Sequence, residues 1–356
     1  NGVDQKSHNG FCPVNFGGPS RDGRAEHDIV ATSAAIQRVI AEGGYTTERI
    51  GYSRHPRVLL NKLRTWKPDV VFNLFEGEAD RTETEISNAA LLEWMNVAFT
   101  GSPSWAIALG RDKIRTKRLL QGVGLPTSPF IVVDELPPPK WQHAWPAIVK
   151  PACQDSSVGI DQGAVVTNQK QLDARSAYLF ERFGGPVLVE QFIAGREFHV
   201  NIFEEPGDGP PGSRLRVVPL AEIRFDYSAE QSFWPIYSYE AKWNETSVEY
   251  LATPLDTGLT LPQPQMEEVT TLCCEAFRLI GLRDYGRIDL RLTPEGRPFI
   301  LEVNPNPFLN SIALVDGITA MQRPHAEFIR DIVRNALCRI SPTKQDVPKL
   351  AKAKRA

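Results

Sequence analysis

Alternating apolar and polar residues predict a β-hairpin between residues 285 and 304. Apolar residues take every second position of the two runs: Ile288, Leu290, Leu292, Phe299, Leu301 and Val303. A period of two is typical of a half-buried strand. Between the runs, residues 294–297 are rich in turn formers, and Glu295 with Gly296 is the predicted central pair of a tight turn.

A two-residue turn determines which polar residues of the hairpin face each other. Counting outward from the turn, Asp289 lies opposite Glu302, and Arg287 lies opposite Asn304. Opposed residues point to the same face, with Cβ atoms about 4.5–5.5 Å apart. Two carboxylates so placed repel each other, and Mg²⁺ commonly takes one or two carboxylates together with substrate phosphates. The hairpin therefore predicts a site for a metal–nucleotide complex, unless it is a solvated face whose acids Arg287 and Arg291 neutralise.

The first 100 residues alternate strand and helix patterns, which predicts an α/β domain with a parallel sheet. The predicted elements are a weak strand before the Gly-Gly turn at 17–18, a helix from about residue 28 to residue 42, a buried strand at 70–75 and a helix at 85–95.

The rest of the chain mixes short strands with amphipathic helices. The predicted elements are a helix capped by Asp112, strands at 147–150, 163–166 and 187–191, a helix at 171–183, strands at 198–203 and 215–223, and helices at 266–280 and 321–337. The aromatic-rich segment 225–243 is either a lid over a polar site or an ordinary packed loop. We expect an α/β domain at 1–103, a small α+β part at 104–195, a mixed-sheet part at 196–345 and a basic tail at 346–356.

Composition narrows the classes of function. The chain has 356 residues, 42% of them hydrophobic, and a net charge of −3 with acidic and basic residues intermixed, which argues against a nucleic-acid surface. The five cysteines form no CxxC pair, which favours free thiols in a reducing compartment. No apolar run approaches the roughly 20 residues of a membrane span, and no secretory signal is visible, so we expect a cytoplasmic protein.

Four charged residues lie where strands or helices begin or end. Lys150 ends an apolar strand and precedes a loop of small and hydroxyl-bearing residues that includes Ser156, an arrangement that can hold a phosphate. Lys113 lies on the first turn of its helix, and Glu190 and Glu197 flank a turn after an apolar strand. Each alone fits an ordinary role equally well: a plain turn, a surface lysine, a helix cap or a salt bridge.

In their order along the chain, these segments resemble the ATP-grasp superfamily and, within it, the D-alanine–D-alanine ligase family. The resemblance covers nearly the whole chain and is most specific at 150–159, 189–197, 239–243, 286–289 and 301–304. It implies the ATP-grasp fold, with ATP between the central and C-terminal parts. The implied nucleotide-binding residues are Lys113, Lys150 and Lys242 for the phosphates, and Glu190 and Glu197 for the adenosine end.

The same resemblance implies the chemistry. Mg²⁺, as two ions that Mn²⁺ can replace, is carried by Asp289, Glu302 and Asn304, and Arg287 stabilises the oxyanion of a tetrahedral intermediate. Ser156 and Glu26 correspond to further catalytic positions of the family. A substrate carboxylate takes the γ-phosphoryl group of ATP, and an amine then attacks the acyl phosphate. The partners are small amino acids, and because relatives are often dimers, a homodimer is considered.

Departures from the family pattern lie where the second amino acid is expected. Trp243 follows the lid lysine in place of a tyrosine, and Phe308 replaces a glycine, so both reshape the predicted acceptor pocket. D-alanyl-D-alanine is the leading product. The alternatives are another dipeptide or a specialised-metabolite amide, and a non-catalytic ATP-binding module. A carboxylate–thiol ligase or a biotin-carboxylase-like enzyme is disfavoured, because no carrier or biotin-attachment motif is present.

Overall fold

The computed structural model describes residues 9–15, 24–52, 55–78, 81, 83–154, 156–207, 209–210, 212–228, 230 and 232–339, and their side chains from residue 29 onward. Two compact units divide the chain: Asn1–Thr100 with Ile329–Ala356, and Gly101–Phe328. The domain boundaries predicted at residues 103, 195 and 345 stay predictions.

The first unit contains a four-stranded parallel sheet in the order β2-β1-β3-β4. Its elements are β1 (Asn9–Asn15), α1 (Arg24–Glu42), β2 (Thr46–Tyr52), α2 (Arg57–Trp66), β3 (Val70–Val71), α3 (Thr84–Trp94) and β4 (Ala98–Phe99). The predicted parallel sheet is confirmed. The predicted strand at 70–75 is shorter than expected, and the predicted helix starts at residue 24 instead of 28. The Gly-Gly turn at 17–18 lies outside the described residues.

Sequence patterning missed β2 and α2 of this unit. Only Ile50 and Tyr52 of β2 are buried, so the strand carries almost no apolar alternation. The helix α2 buries only Leu59 and Leu63. The strand is therefore short of the apolar repeat by which a pattern is recognised, whereas Leu59, Leu63 and Trp66 give α2 a helical spacing that the prediction overlooked.

The second unit begins with two helices and a four-stranded antiparallel sheet in the order β5-β8-β6-β7. Its elements are α4 (Ser104–Arg111), α5 (Lys113–Gly122), β5 (Phe130–Val133), β6 (Ala147–Pro151), β7 (Val165–Val166), α6 (Gln169–Phe183) and β8 (Val187–Gln191). Asp112 caps α5 as predicted, since its carboxylate accepts a hydrogen bond from the Arg115 backbone N–H at 2.9 Å.

A six-stranded sheet follows, with β12-β11-β9-β13-β14 in order and β10 beside β9. The remaining elements are β9 (Arg196–Glu204), β10 (Leu215–Val217), β11 (Leu220–Ile223), α7 (Tyr239–Trp243), α8 (Val248–Leu251), β12 (Leu255–Leu259), α9 (Gln263–Ile280), β13 (Tyr285–Leu292), β14 (Pro298–Asn304), α10 (Ile312–Ala320) and α11 (His325–Cys338). The described strand pairs of this six-stranded sheet are antiparallel. A sheet with both parallel and antiparallel strands was expected. Among the described residues, parallel pairing in this part of the chain is limited to one bridge between Thr127 and Ile300.

The single closing helix predicted at 321–337 is wrong at its start. The chain forms α10, then a turn, and only then α11. Gln322 in that turn has a φ of 57°, and Pro324 lacks a backbone N–H, so the α10 helix cannot continue into α11.

The predicted hairpin is present, and its register is right although its turn is not. Thr293 and Arg297 close a three-residue loop, with Gly296 at a φ of 84°, where a two-residue loop was expected. This shifts the pairing by one residue. A bulge at Leu301 shifts it back, so that Asp289 faces Glu302 and Arg287 faces Asn304. The bulge also turns Ile300 into the core and leaves Leu301 half-buried.

The two faces of the six-stranded sheet differ in polarity. One face packs with α9 in the main core of the unit through residues that include Phe198, Val200, Ile202, Ile288, Leu290 and Val303. Successive strand residues point to opposite faces, so the residues between these lie on the other side of the sheet. That side carries most of the predicted site.

Gly195, in the turn between β8 and β9, offers a test of this packing. Its φ is 134°, and a Cβ there would lie 1.9 Å from the Leu292 carbonyl oxygen. Gly184 also has a positive φ, of 71°, but has open space around it. We expect Gly184→Ala to cost about 1 kcal/mol and Gly195→Ala at least about 2 kcal/mol more, measured by denaturant unfolding. Equal losses in the two variants would contradict the close approach.

None of the described helices is long and apolar enough to cross a membrane. The cytoplasmic location stays a prediction. Among the cysteines whose side chains the structure describes, Cys273, Cys274 and Cys338 are free thiols, as expected.

Candidate active site

Two rows of polar residues cross β9, β13 and β14 on the face away from the core. One row is Asn201, Arg287 and Asn304, and the other is His199, Asp289 and Glu302. Neighbouring members of a row lie directly opposite each other, with Cβ atoms about 4.5–5.5 Å apart. The structure therefore brings together the four residues that the sequence placed at the reacting end of the site. His199 and Asn201, from the adjoining strand β9, were not predicted.

Arg287 forms a two-point ion pair with Asp289. Its Nε lies 2.7 Å from Oδ1 and its Nη2 lies 2.9 Å from Oδ2. Burial opposes ionisation of both groups, but the pair still lowers the pKa of Asp289 and raises that of Arg287. The neutralising role considered for Arg287 is thus present in the structure, and it holds the guanidinium in one orientation.

His199 lies on the other side of Asp289, with its Nε2 3.9 Å from the Asp289 Oδ1. Burial lowers the pKa of His199 to about 3, although the Asp289 carboxylate acts in the opposite direction. The imidazole is therefore neutral at physiological pH. Its ring meets that of Tyr237 edge-on, with the centroids 6.1 Å apart.

Lys113 connects the second carboxylate of the hairpin to the loop after β6. Its ammonium lies 2.9 Å from the Glu302 Oε1 and donates to the Gln154 carbonyl oxygen at 2.8 Å. Although Lys113 is the first residue of a helix, its side chain is buried. This excludes the solvated surface lysine that the sequence alone allowed.

A second charged cluster surrounds Glu190. Its Oε1 lies 3.1 Å from the ammonium of Lys150 and 3.3 Å from that of Lys117. Lys117 also donates to the Thr127 hydroxyl at 2.6 Å. Burial by itself raises the pKa of Glu190, but the two lysines hold it below its usual value. Lys117 was missed, and the available signal is that it follows Lys113 by four residues on the same helix face.

The buried ammonium of Lys117 gives a pH-dependent prediction. Burial lowers its pKa from 10.5 to about 8, so between these values the unfolded chain binds more protons than the folded one. Stability then rises with pH across that window. We expect the unfolding free energy of the wild type to increase relative to that of Lys117→Met from pH 8 to 10.5. Denaturant titrations at several pH values check this, and a difference that shrinks with pH contradicts it.

Glu197 is paired with Arg291, another residue that the sequence did not single out for the site. The Nε and Nη2 of Arg291 lie 2.9 and 2.8 Å from the Glu197 Oε2. Arg291 also donates to the backbone oxygens of Ile193, at 2.7 Å, and of Pro235. Its guanidinium carbon lies 4.7 Å from the centre of the Phe192 ring. Arg291 thus links the predicted adenosine-binding acid to the aromatic segment 225–243.

The aromatic segment 225–243 lies against the loop after β6. The Ser157 hydroxyl donates to the Tyr237 carbonyl oxygen at 2.8 Å, and the Trp243 indole donates to that of Ser156 at 3.0 Å. The Lys242 ammonium lies 5.4 Å from the centre of the Trp243 ring. The segment therefore covers the predicted phosphate loop, as the lid interpretation requires, and the role of Lys242 stays a prediction.

The other predicted residues are placed less tightly. Ser156 is exposed, with a φ of 57°, and Phe308 is half-buried just after β14. Among the described residues, Trp243 and Phe308 make no ring contact with each other, so a joint acceptor pocket stays a prediction. The side chain of Glu26 lies outside those that the structure describes.

Residues 119–322, more than half of the chain, match the family model described as D-ala D-ala ligase C-terminus. The chain belongs to the D-alanine–D-alanine ligase family. A D-alanine–D-alanine ligase of Bordetella petrii is 34% identical over 258 residues, which cover 71% of this chain and 72% of that protein. One of Acinetobacter baumannii is 31% identical over 239 residues, which cover 64% of this chain and 68% of that protein.

A solved structure agrees on the fold. The crystal structure of a D-alanine–D-alanine ligase from Bacillus anthracis complexed with ATP matches with a TM-score of 0.70, over 92% of this chain and 97% of that one. The two sequences are only 18% identical, so this likeness shows the ATP-grasp fold of the D-alanine–D-alanine ligases and nothing finer.

The donor atoms of this family member fit Mg²⁺ held together with a nucleotide. Asp289, Glu302 and Asn304 offer hard oxygen atoms on one face, which is the ligand type that Mg²⁺ prefers. Within the described part of the chain, no group of three or more histidine, cysteine, aspartate and glutamate residues forms an all-protein metal site. Both carboxylates are instead balanced by Arg287 and Lys113. Two carboxylates and an amide suit an ion that arrives with phosphates.

Proposed function

We propose that this chain joins two amino acids through an amide bond at the expense of ATP, with D-alanyl-D-alanine as the first candidate product. The observation that carries the proposal is the polar face of the sheet, where Asp289 and Glu302 face each other beside the fixed guanidinium of Arg287. Family membership supports the reaction class. The choice of amino acids is a proposal, since it comes from the names of relatives.

The reaction takes place in two steps: phosphoryl transfer to a carboxylate, then attack of an amine on the acyl phosphate. A carboxylate oxygen of the first amino acid attacks the γ-phosphorus of ATP, the bond to the β-phosphate oxygen breaks, and ADP leaves. The amine of the second amino acid then attacks the acyl carbon. Phosphate departs with the electron pair of the C–O bond, and the nitrogen loses a proton to phosphate or water. No protein nucleophile is needed, so the protein contributes positioning and charge neutralisation.

Lys113 and Lys150 are suited to the phosphates because their ammonium groups are already buried and held in place. Each is paired with a carboxylate, Glu302 or Glu190, in the structure. An incoming triphosphate offers negative charge in place of these carboxylates, so the already buried lysines exchange partners at little cost in desolvation. Lys242 adds a third cation from the lid segment.

Asp289, Glu302 and Asn304 are the residues that would hold Mg²⁺, which supplies positive charge that neutralises the phosphate oxygens. Arg287 keeps its orientation through Asp289, so its remaining donors can face the oxyanion that forms when the amine attacks. Glu190 and Glu197, fixed by lysines and by Arg291, are our candidates for the adenosine end. The number of ions, the use of Mn²⁺ and a homodimeric assembly stay predictions.

A different dipeptide or specialised amide is the second candidate. It is favoured by Trp243 and Phe308, which replace smaller or hydroxyl-bearing residues of the family pattern. Buried partners that go unpaired shift the choice between related substrates by orders of magnitude. The second candidate therefore differs from the first in the acceptor amino acid.

Phosphate release from ATP, measured against pairs of D- and L-amino acids, tests the proposal. We expect release that depends on both amino acids and on Mg²⁺, with D-alanine active in at least the first position. Release with another pair but not with D-alanine would transfer the proposal to the second candidate. ATP binding without release for any pair would contradict the ligase activity and leave a binding module.

A further inference from the structure

Asn201 is a buried polar residue that the mechanism described so far does not use. It lies on β9 directly opposite Arg287, and its exposed fraction is 2%. Among the residues that the structure describes, its Oδ1 has no hydrogen-bond partner and its Nδ2 donates to none. Of the two amide atoms, the oxygen is the one that is both buried and unpaired, so the site holds an acceptor that is left unfilled.

Burying the unpaired amide oxygen of Asn201 costs folding free energy, and no described donor of the protein offsets that cost. Leaving a buried polar group unsatisfied costs about 1–3 kcal/mol. Arg287 lies directly opposite on β13, but its Nε and Nη2 are directed to Asp289. A leucine has almost the same shape as an asparagine and would avoid the cost. The unfilled acceptor is therefore available to a partner from outside the chain.

The position of Asn201 indicates which partner. In its row, Arg287 lies in the middle, with Asn304 on β14 to one side and Asn201 on β9 to the other. The predicted metal ligands occupy the β13 and β14 side. If Arg287 stabilises the oxyanion, the attacking nitrogen approaches the same carbon to about 3–3.5 Å. The β9 side of Arg287 is the side left for it.

The depth of the polar face supports this assignment. The exposed fraction of the side chains falls from 32% at Glu302 on β14, through 17% at Arg287 on β13, to 12% at His199 on β9. Asn201, also on β9, is the most buried of these residues, with an exposed fraction of 2%.

We propose that the Asn201 amide binds the second amino acid, with its oxygen accepting a hydrogen bond from the attacking amine. This inference rests on the proposed function and deepens it by naming a residue that selects and orients the nucleophile. Asn201 removes no proton. It holds the N–H so that the nitrogen lone pair faces the acyl carbon beside Arg287.

Two assays separate the two halves of the reaction. Hydroxylamine replaces the second amino acid and traps the acyl phosphate as a hydroxamate, so it reports activation of the first amino acid alone. Phosphate release at varied concentrations of the second amino acid reports its half-saturation. Both are measured for the wild type, Asn201→Leu and Asn201→Ala, together with thermal unfolding.

We expect half-saturation by the second amino acid to rise about tenfold or more in both variants, while hydroxamate formation stays at the wild-type level. Asn201→Leu is expected to unfold at the same or a higher temperature, because it removes an unpaired amide. Val200→Ala is the control: it lies next along β9 on the core face, so it lowers the unfolding temperature without changing half-saturation.

Unchanged half-saturation in both variants overturns the assignment of Asn201. So does a parallel loss of hydroxamate and ligation, since that indicates general damage to the site. Failure of the proposed function looks different, because then the wild type itself forms neither hydroxamate nor product with any amino acid.

Discussion

Glu302→Gln is expected to lower the rate of ATP-dependent ligation about 100- to 1000-fold, the scale on which one charged contact to a transition state acts. The substitution keeps the size and a hydrogen-bonding oxygen but removes the charge that faces Asp289. We also expect the Mg²⁺ concentration for half-maximal rate to rise, because glutamine is a weaker ligand. Phosphate release over a range of Mg²⁺ concentrations measures both effects.

Glu295→Gln is the matched control for Glu302→Gln. It makes the same chemical change in the exposed turn of the same hairpin, away from the polar face. We expect wild-type rates and Mg²⁺ dependence from it. If Glu302→Gln also kept wild-type turnover, Glu302 would not hold the metal, and Lys113 would be only its structural partner.

Arg287→Lys is expected to lower kcat about 100- to 1000-fold while half-saturation by ATP changes little. Lysine preserves the positive charge beside Asp289, so the buried carboxylate is not left without a cation. It loses the rigid fork that now makes both contacts to Asp289, and with it the donors directed at the oxyanion. Steady-state kinetics with each substrate varied in turn separates the two parameters.

Arg297→Lys, in the exposed turn of the hairpin, controls for the general effect of exchanging an arginine. It is expected to leave kcat unchanged. A loss in Arg287→Lys that appeared only in half-saturation by ATP would assign Arg287 to nucleotide binding and remove it from the chemistry.

The register of the hairpin was predictable from the sequence, but for an incomplete reason. Alternation of apolar residues identified both strands, and counting from the turn placed Asp289 opposite Glu302. The real loop has one residue more, and the bulge at Leu301 adds one residue to the other strand, so the two shifts cancel. A one-residue error without the bulge would have moved Glu302 to the core face.

Partners from distant parts of the chain could not be predicted. Lys117 is an ordinary helix lysine in the sequence, and only the fold brings it to Glu190 from β8. In the sequence, Arg291 was a candidate to neutralise the hairpin acids, yet in the structure it binds Glu197 on the neighbouring strand β9. Asn201 is conspicuous only because its amide is buried and unpaired. Such contacts depend on tertiary burial, which no local pattern encodes.

The central claim, that a carboxylate is activated as an acyl phosphate, is tested most directly by tracing an ¹⁸O label from the carboxylate to the released phosphate. The first amino acid is prepared with ¹⁸O in its carboxylate, and the phosphate released during ligation is analysed for the isotope. Formation of an acyl phosphate on this site transfers one carboxylate oxygen to phosphorus, so the account predicts one ¹⁸O atom in each phosphate released. Phosphate without the label would mean that ATP is cleaved by water, and the proposed activation of the carboxylate would be contradicted.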